Sequence, residues 1–352
     1  MSEFQDQLVL ASITRNIGFL VAIVVTVGMV VYLLLQSRVA KDEVGSEVEL
    51  AANRKKYVDD EELEGPVLTR NLFLGLGLIT VVAVALPLYW LQEPSQLEGW
   101  EGRFAEISRS RGEEQFLPSA EGGLGCADCH GGMEATGGSA PYVLTDANGD
   151  FVETVDWKAP ALDMLMYRFD EEEVREILVY GRPFSPMPAW GVEGNGPLDE
   201  QQIGDLIAYI DSIQLRGDEL DEQLVAVADE VDRSIDAGEF ASEGEALFNL
   251  GLNNGFAGGA FSCGRCHTPG WSYGQPGVEG GGALGPNLTN VEAQFPGGAT
   301  GFASQLDFIT IGSENGISYG VQGMGSGGMP AFGQMYTEDQ LEAVVDYERN
   351  LP

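Results

Sequence analysis

Two strongly apolar stretches of this chain carry no charged side chain. Asn16 to Ser37 and Asn71 to Gln92 are each 22 residues long, and roughly 20 apolar residues let a helix cross a bilayer core. Tyr89 and Trp90 close the second stretch, where an interfacial aromatic belt would lie. The pattern predicts two transmembrane helices, about 16–37 and 71–92, joined by a polar loop 38–70, so that 1–92 forms a hairpin. The first stretch does not read as a cleavable leader. Its apolar part is long, Glu3 and Asp6 precede it in place of a basic cluster, and no small-residue cleavage pattern follows closely. After residue 92 the pattern turns to short amphipathic segments. Ile203, Leu206, Ile207 and Ile210 recur at helical spacing, and Leu341, Val344, Val345 and Leu351 do so less strictly. Leu220, Leu224, Val227 and Val231 predict an acidic helix over 216–240, either a linker or the first helix of the domain after it. Tyr142 to Val155, with Asn148-Gly149 at its centre, predicts a β-hairpin. Asp146, Asn148 and Asp150 there lack the later Glu and flanking helices of a calcium loop.

The region after residue 92 is a tandem repeat. Gly112 and Phe116 answer Gly244 and Phe248. Ala159-Pro160-Ala161-Leu162 answers Gly285-Pro286-Asn287-Leu288, and Met187-Pro188-Ala189-Trp190-Gly191 answers Met329-Pro330-Ala331-Phe332-Gly333. Each copy closes on an amphipathic helix. The predicted units are 93–215 and 241–352, with 216–240 between them. The first copy carries four extra residues near Glu193-Gly194-Asn195-Gly196, an insertion suited to a loop.

Charge adds topology and exclusions. The chain holds 18 Lys and Arg against 55 Asp and Glu, a net charge of −37, which argues against nucleic-acid binding. Six of the 18 bases (Arg38, Lys41, Arg54, Lys55, Lys56 and Arg70) fall in 38–70, and Arg15 alone precedes the first span. The positive-inside rule therefore puts 38–70 in the cytoplasm and both termini outside. Residues 93–352 carry 44 acids and 11 bases, a net −33. Such a field steers a basic partner, or serves solubility in saline surroundings.

The chemistry is concentrated in two places. All four cysteines and both histidines lie in Cys126-Ala127-Asp128-Cys129-His130 and Cys263-Gly264-Arg265-Cys266-His267. C-x-x-C-H is the signature of covalent haem c attachment, with two thiols one helical turn apart for the vinyl groups and a histidine placed for the iron. A zinc site would need further Cys or His ligands, and none remain. A thioredoxin-type pair would not need the histidine twice. Two covalently attached haem c groups are expected, with His130 and His267 as iron ligands. No third histidine or spare thiol exists for the opposite faces, so methionine is the remaining common ligand. Met187 and Met329 lie 57 and 62 positions after the histidines, each before a proline that ends any helix. Met324 and Met335 remain rivals for the second iron; Met164 and Met166 read as core filler, and Met133 is too close to His130 to reach the other face.

Each copy resembles a class I cytochrome c domain, a small all-helical fold around a haem, so the expected fold is mainly α with the hairpin in front. The resemblance covers roughly 100 to 352. It implies that the first and last helices of each copy cross at Gly112/Phe116 and Gly244/Phe248, and that Met187 and Met329 are the distal ligands. It also implies that the carbonyls of Pro160 and Pro286 accept the Nδ1 protons of the proximal histidines. A membrane hairpin followed by two such domains is similar to the dihaem subunit of cbb-type oxidases, or of some bacterial bc-type quinol oxidoreductases. The expected role is single-electron relay outside a bacterial cytoplasmic membrane, as a non-catalytic subunit beside cytochrome b, a Rieske protein or an oxidase. The other readings are the cytochrome subunit of a periplasmic dehydrogenase and a dihaem peroxidase. His/Met ligation raises the haem potential relative to bis-His.

Overall fold

The computed structural model describes residues 63–183, 185–313, 320–321 and 328–351, together with Val24, Val27, Gly28, Val31, Tyr32 and Leu35. Those six isolated residues are helical; the rest of the predicted first span and the loop up to residue 62 lie outside the described residues. The described chain is mainly helical, with one two-stranded sheet. It divides into two units, Met1–Pro94 and Ser95–Pro352.

In the first unit, Gly65–Leu91 is long and apolar enough to cross a membrane, and its most apolar window is entirely unburied. Leu72, Phe73, Ile79, Val82 and Trp90 are all exposed. The helix that carries most of this stretch, α1 (Leu68–Phe116), does not stop at Gln92 as the charge pattern predicts. The residues after it, 93–116, hold six Glu and three Arg, good helix formers, and the helix runs on through Pro94, Gly99 and Gly102. The division between units falls at Pro94, inside α1.

The second unit holds two hydrophobic cores. The first is built on the end of α1, α2 (Cys126–His130), α3 (Glu171–Tyr180) and α4 (Glu200–Ser212), with Phe116, Val174, Leu178, Ile203, Leu206 and Ile210 buried in it. The second uses α5 (Asp218–Asp236), α6 (Glu243–Phe248), α7 (Gly264–His267), the short α8 (Val291–Gln294), α9 (Ala299–Ile311) and α10 (Glu338–Arg349). Its centre is Leu247, Phe248, Phe261, Val344 and Val345. The acidic helix over 216–240 forms as α5 and buries Val227 and Val231 in this second core.

The repeat is visible in the packing. Phe116 meets Tyr209 with ring centroids 5.1 Å apart, and Phe248 meets Tyr347 at 5.5 Å. Gly112 and Gly244 mark the two helix crossings. A Cβ on Gly112 would run into the Asp205 carbonyl and lie 2.8 Å from the Cβ of Tyr209, and one on Gly244 would meet the Ala343 carbonyl and lie 2.8 Å from that of Tyr347. The closing helices start alike. The side chains of Asp199 and Thr337 accept the N–H of Gln202 and Gln340, and each glutamine accepts in return the backbone N–H of its cap.

The predicted hairpin forms as β1 (Gly138–Thr145) and β2 (Phe151–Ala159), antiparallel. Gly149 sits in the left-handed region, φ 87°, and Asp146 Oδ1 accepts the N–H groups of Asn148 and Asp150 at 2.8 and 2.9 Å. These bonds make the acidic tip an Asx-type turn.

Candidate functional site

α2 and α7 are single helical turns that carry the two Cys-x-x-Cys-His segments. In both, the histidine Nδ1 lies 2.8 Å from a proline carbonyl: Pro160 for His130 and Pro286 for His267. A carbonyl only accepts, so Nδ1 carries the proton and Nε2 keeps its lone pair. Burial lowers both imidazole pKa values against the opposing pull of the proline bonds. Each side chain is thus a neutral imidazole of fixed orientation, the form that ligates a metal. Gly285 is required at the second site, because a Cβ there would lie 2.6 Å from His267 Cε1.

None of the four cysteines is in a disulfide. Burial pushes the Cys126 thiol up to about 12, raises that of Cys129 and lifts that of Cys263 well above its ordinary value. These are protonated, shielded thiols, unlike the low-pKa thiolates of redox motifs. Among the described residues no three His, Cys, Asp or Glu side chains converge as a metal-ion cluster would require.

The two methionine loops are held by one repeated set of backbone bonds. Gly181, at φ 70°, ends α3, and Gly312, at φ 77°, ends α9. Each passes so close to the Met-Pro-Ala backbone that a side chain would strike it. Arg182 N–H donates to Met187 O at 3.1 Å, and Ser313 N–H to Met329 O at 2.9 Å. Trp190 N–H donates to Leu178 O, and Phe332 N–H to Ile309 O. The loops leave their helices and return to them at matching points.

Both motifs open onto one cavity. All four cysteines, both histidines, Met187 and Met329 line it, with apolar walls that include Phe116, Leu178, Leu206 and Phe332. Pro160 lines it too, and Pro286 lies on a neighbouring cavity that shares His267 and Met329. The rival sulfurs lie elsewhere. Met164 and Met335 are both buried in the second core, and Met133 and Met166 pack against the first. Met324 lies outside the described residues.

The halves of the cavity meet at a seam that sequence reasoning did not anticipate. Ala161 N–H donates to Ala257 O at 2.9 Å. Arg168 reaches forward to Ala260 O at 2.6 Å, and Arg265 reaches back to Lys158 O at 3.1 Å. Trp157 on β2 packs against Tyr273, centroids 5.3 Å apart. The only sequence signal for this seam was the placement of an arginine inside the second motif.

No protein-family model, no curated protein and no solved structure matches this chain.

Proposed function

We propose that this protein is a membrane-anchored dihaem c-type cytochrome that relays single electrons on the extracytoplasmic side of a bacterial membrane, as a subunit of a bc-type quinol oxidoreductase or a terminal oxidase. One observation carries the reading. Each Cys-x-x-Cys-His turn has its histidine pinned through Nδ1 by a proline carbonyl, and each shares the cavity with one methionine. Two carbonyl-oriented imidazoles, two thiol pairs and two thioether sulfurs in an apolar enclosure are the donor set of two His/Met-ligated haem c groups.

Haem c held there supplies reversible one-electron iron chemistry, and the protein sets its orientation, potential and access. Cys126, Cys129, Cys263 and Cys266 would anchor the porphyrins. His130 and His267 would ligate one face of each iron through Nε2, and Met187 and Met329 the other. The proline carbonyls fix the imidazole planes and raise ligand basicity. Trp190 and Phe332, two residues beyond the prolines of the methionine loops, brace those loops against α3 and α9. A methionine for each motif favours the relay over a peroxidase, which needs an open iron position.

The anchor rests on the first unit. Gly65–Leu91 is an exposed apolar helix, and the Tyr32 hydroxyl donates to Asn71 Oδ1 at 3.2 Å. That bond joins the end of the first uncharged stretch to the start of the second, as an antiparallel hairpin requires. With 38–70 cytoplasmic by its basic residues, both haem modules lie outside.

Spectroelectrochemistry of the protein purified in mild detergent tests the function. Two low-spin haems with midpoint potentials above that of the quinone pool are expected. A high-spin five-coordinate haem, or two potentials well below the quinone couple, contradicts the relay role.

A further inference from the structure

The exposed region is strongly acidic, yet cations gather where its two motifs meet. Of the 11 basic residues in 93–352, Lys158, Arg168, Arg182 and Arg265 line the cavity shared by both Cys-x-x-Cys-His turns. Arg168 is 7% exposed. Its terminal nitrogens donate to the carbonyls of Ala260 and Ala161 at 2.6 and 3.2 Å, and its Nε is buried with no partner. Arg265 donates to Lys158 O and Gly258 O, again only to backbone. Among the described residues neither arginine makes an ion pair. Asp163, the nearby acid, does not supply one, and its Oδ1 is itself without a partner.

A guanidinium removed from water with no ion-pair partner is strongly disfavoured. No described acid of this region makes an ion pair with either arginine; Asp163 acts on Arg168 through its field alone. Carbonyl contacts explain how the side chains are held; they do not neutralise the charge. An anion entering the cavity would. The exchange is also reciprocal: Arg168, from the first half, ties to the second, and Arg265, from the second motif, ties to the first.

We propose that the seam cluster of Arg168, Arg265, Arg182 and Lys158 is a shared anion site that takes the propionate carboxylates of both tetrapyrroles, so that one set of cations sets the potential of both redox centres. This rests on the dihaem reading above. Carboxylate and guanidinium form charge-assisted, often bidentate hydrogen bonds, and the free Arg168 Nε is a donor for one of them. Loss of a buried positive charge near both irons disfavours the reduced state of each, and the two potentials fall together.

The test uses the full-length haem-loaded protein in detergent and compares the parent with Arg168→Gln, Arg168→Lys and Lys158→Gln. Covalent haem content is measured first. A parent without covalent haem defeats the dihaem reading itself, independently of the seam. With two haems bound, spectroelectrochemical titration is expected to show both midpoints lowered in Arg168→Gln, by about tenfold in each reduction equilibrium or about 59 mV, and largely restored in Arg168→Lys. Should Arg168→Gln not fold, Lys158→Gln decides. The seam bond at that residue runs through its carbonyl, which the substitution leaves in place, and both midpoints should again fall. Unmoved midpoints, or a shift in only one of the two, overturn the shared site.

Discussion

At the residue scale, the proposed ligation rests on single sulfur atoms that substitution can remove. Met187→Leu keeps the apolar contacts of its loop but removes the sulfur. It should leave two covalent haems in place, convert one of them to a high-spin spectrum and abolish half of the sulfur-to-iron charge-transfer absorption. An unchanged spectrum would assign the ligand elsewhere. Buried carboxyls make a separate prediction. Burial raises Asp163 to about 6 and Glu348 to about 7, the latter against a 2.8 Å hydrogen bond from Gln305. Below about pH 3 both are neutral whether the chain is folded or unfolded. As pH rises toward 7 the unfolded chain ionises first, binds fewer protons than the folded one, and stability is lost. Glu348→Gln, which keeps an acceptor for Gln305, should match the parent near pH 3 and exceed it at pH 8 by a margin on the order of 3 kcal/mol. Parallel stability curves for parent and variant, measured by denaturant unfolding across that range, would contradict this.

The element scale shows what the sequence made legible. The crossing of α1 with α4, and of α6 with α10, was implied by the family resemblance of Gly112/Phe116 and Gly244/Phe248, and the structure supplies the reason: a helix contact that close admits only glycine. Gly244→Ala should therefore cost about 3 kcal/mol through overpacking. Gly204→Ala, in α4 with open space around the glycine, should add roughly 0.5–1 kcal/mol through helix propensity alone. Thermal unfolding of the two variants checks both signs; equal effects would mean the crossing is looser than the packing indicates. The hairpin was legible from Asn148-Gly149, and the histidines' carbonyl partners, Pro160 and Pro286, were implied by the family resemblance alone. The end of the second uncharged stretch was not. Absence of charge marks where lipid can contact a helix, whereas backbone hydrogen bonding is indifferent to side-chain charge, so α1 runs on to Phe116. The seam was illegible for a different reason. Arg168 and Arg265 meet the other copy's backbone through contacts more than 90 residues apart in the chain, and no periodicity records such pairs.

At the scale of the whole molecule, charge and topology make the predictions. Protease added to intact spheroplasts should digest 95–352 and spare 38–70; the reverse pattern would invert the hairpin. The net −33 of the exposed region should speed oxidation by a basic soluble carrier at low salt and slow it as ionic strength rises. A rate indifferent to salt would leave that charge with a solubility role only. The spectral and electron-transfer outcomes presuppose that the two motifs carry haem. Intact mass of the matured polypeptide, taken with a pyridine haemochrome spectrum, measures this directly. A dihaem cytochrome should give the chain mass plus two haems, retained after acid–acetone extraction, and a thioether-type haemochrome. A mass equal to the bare chain, with all four thiols free to alkylation, would contradict it.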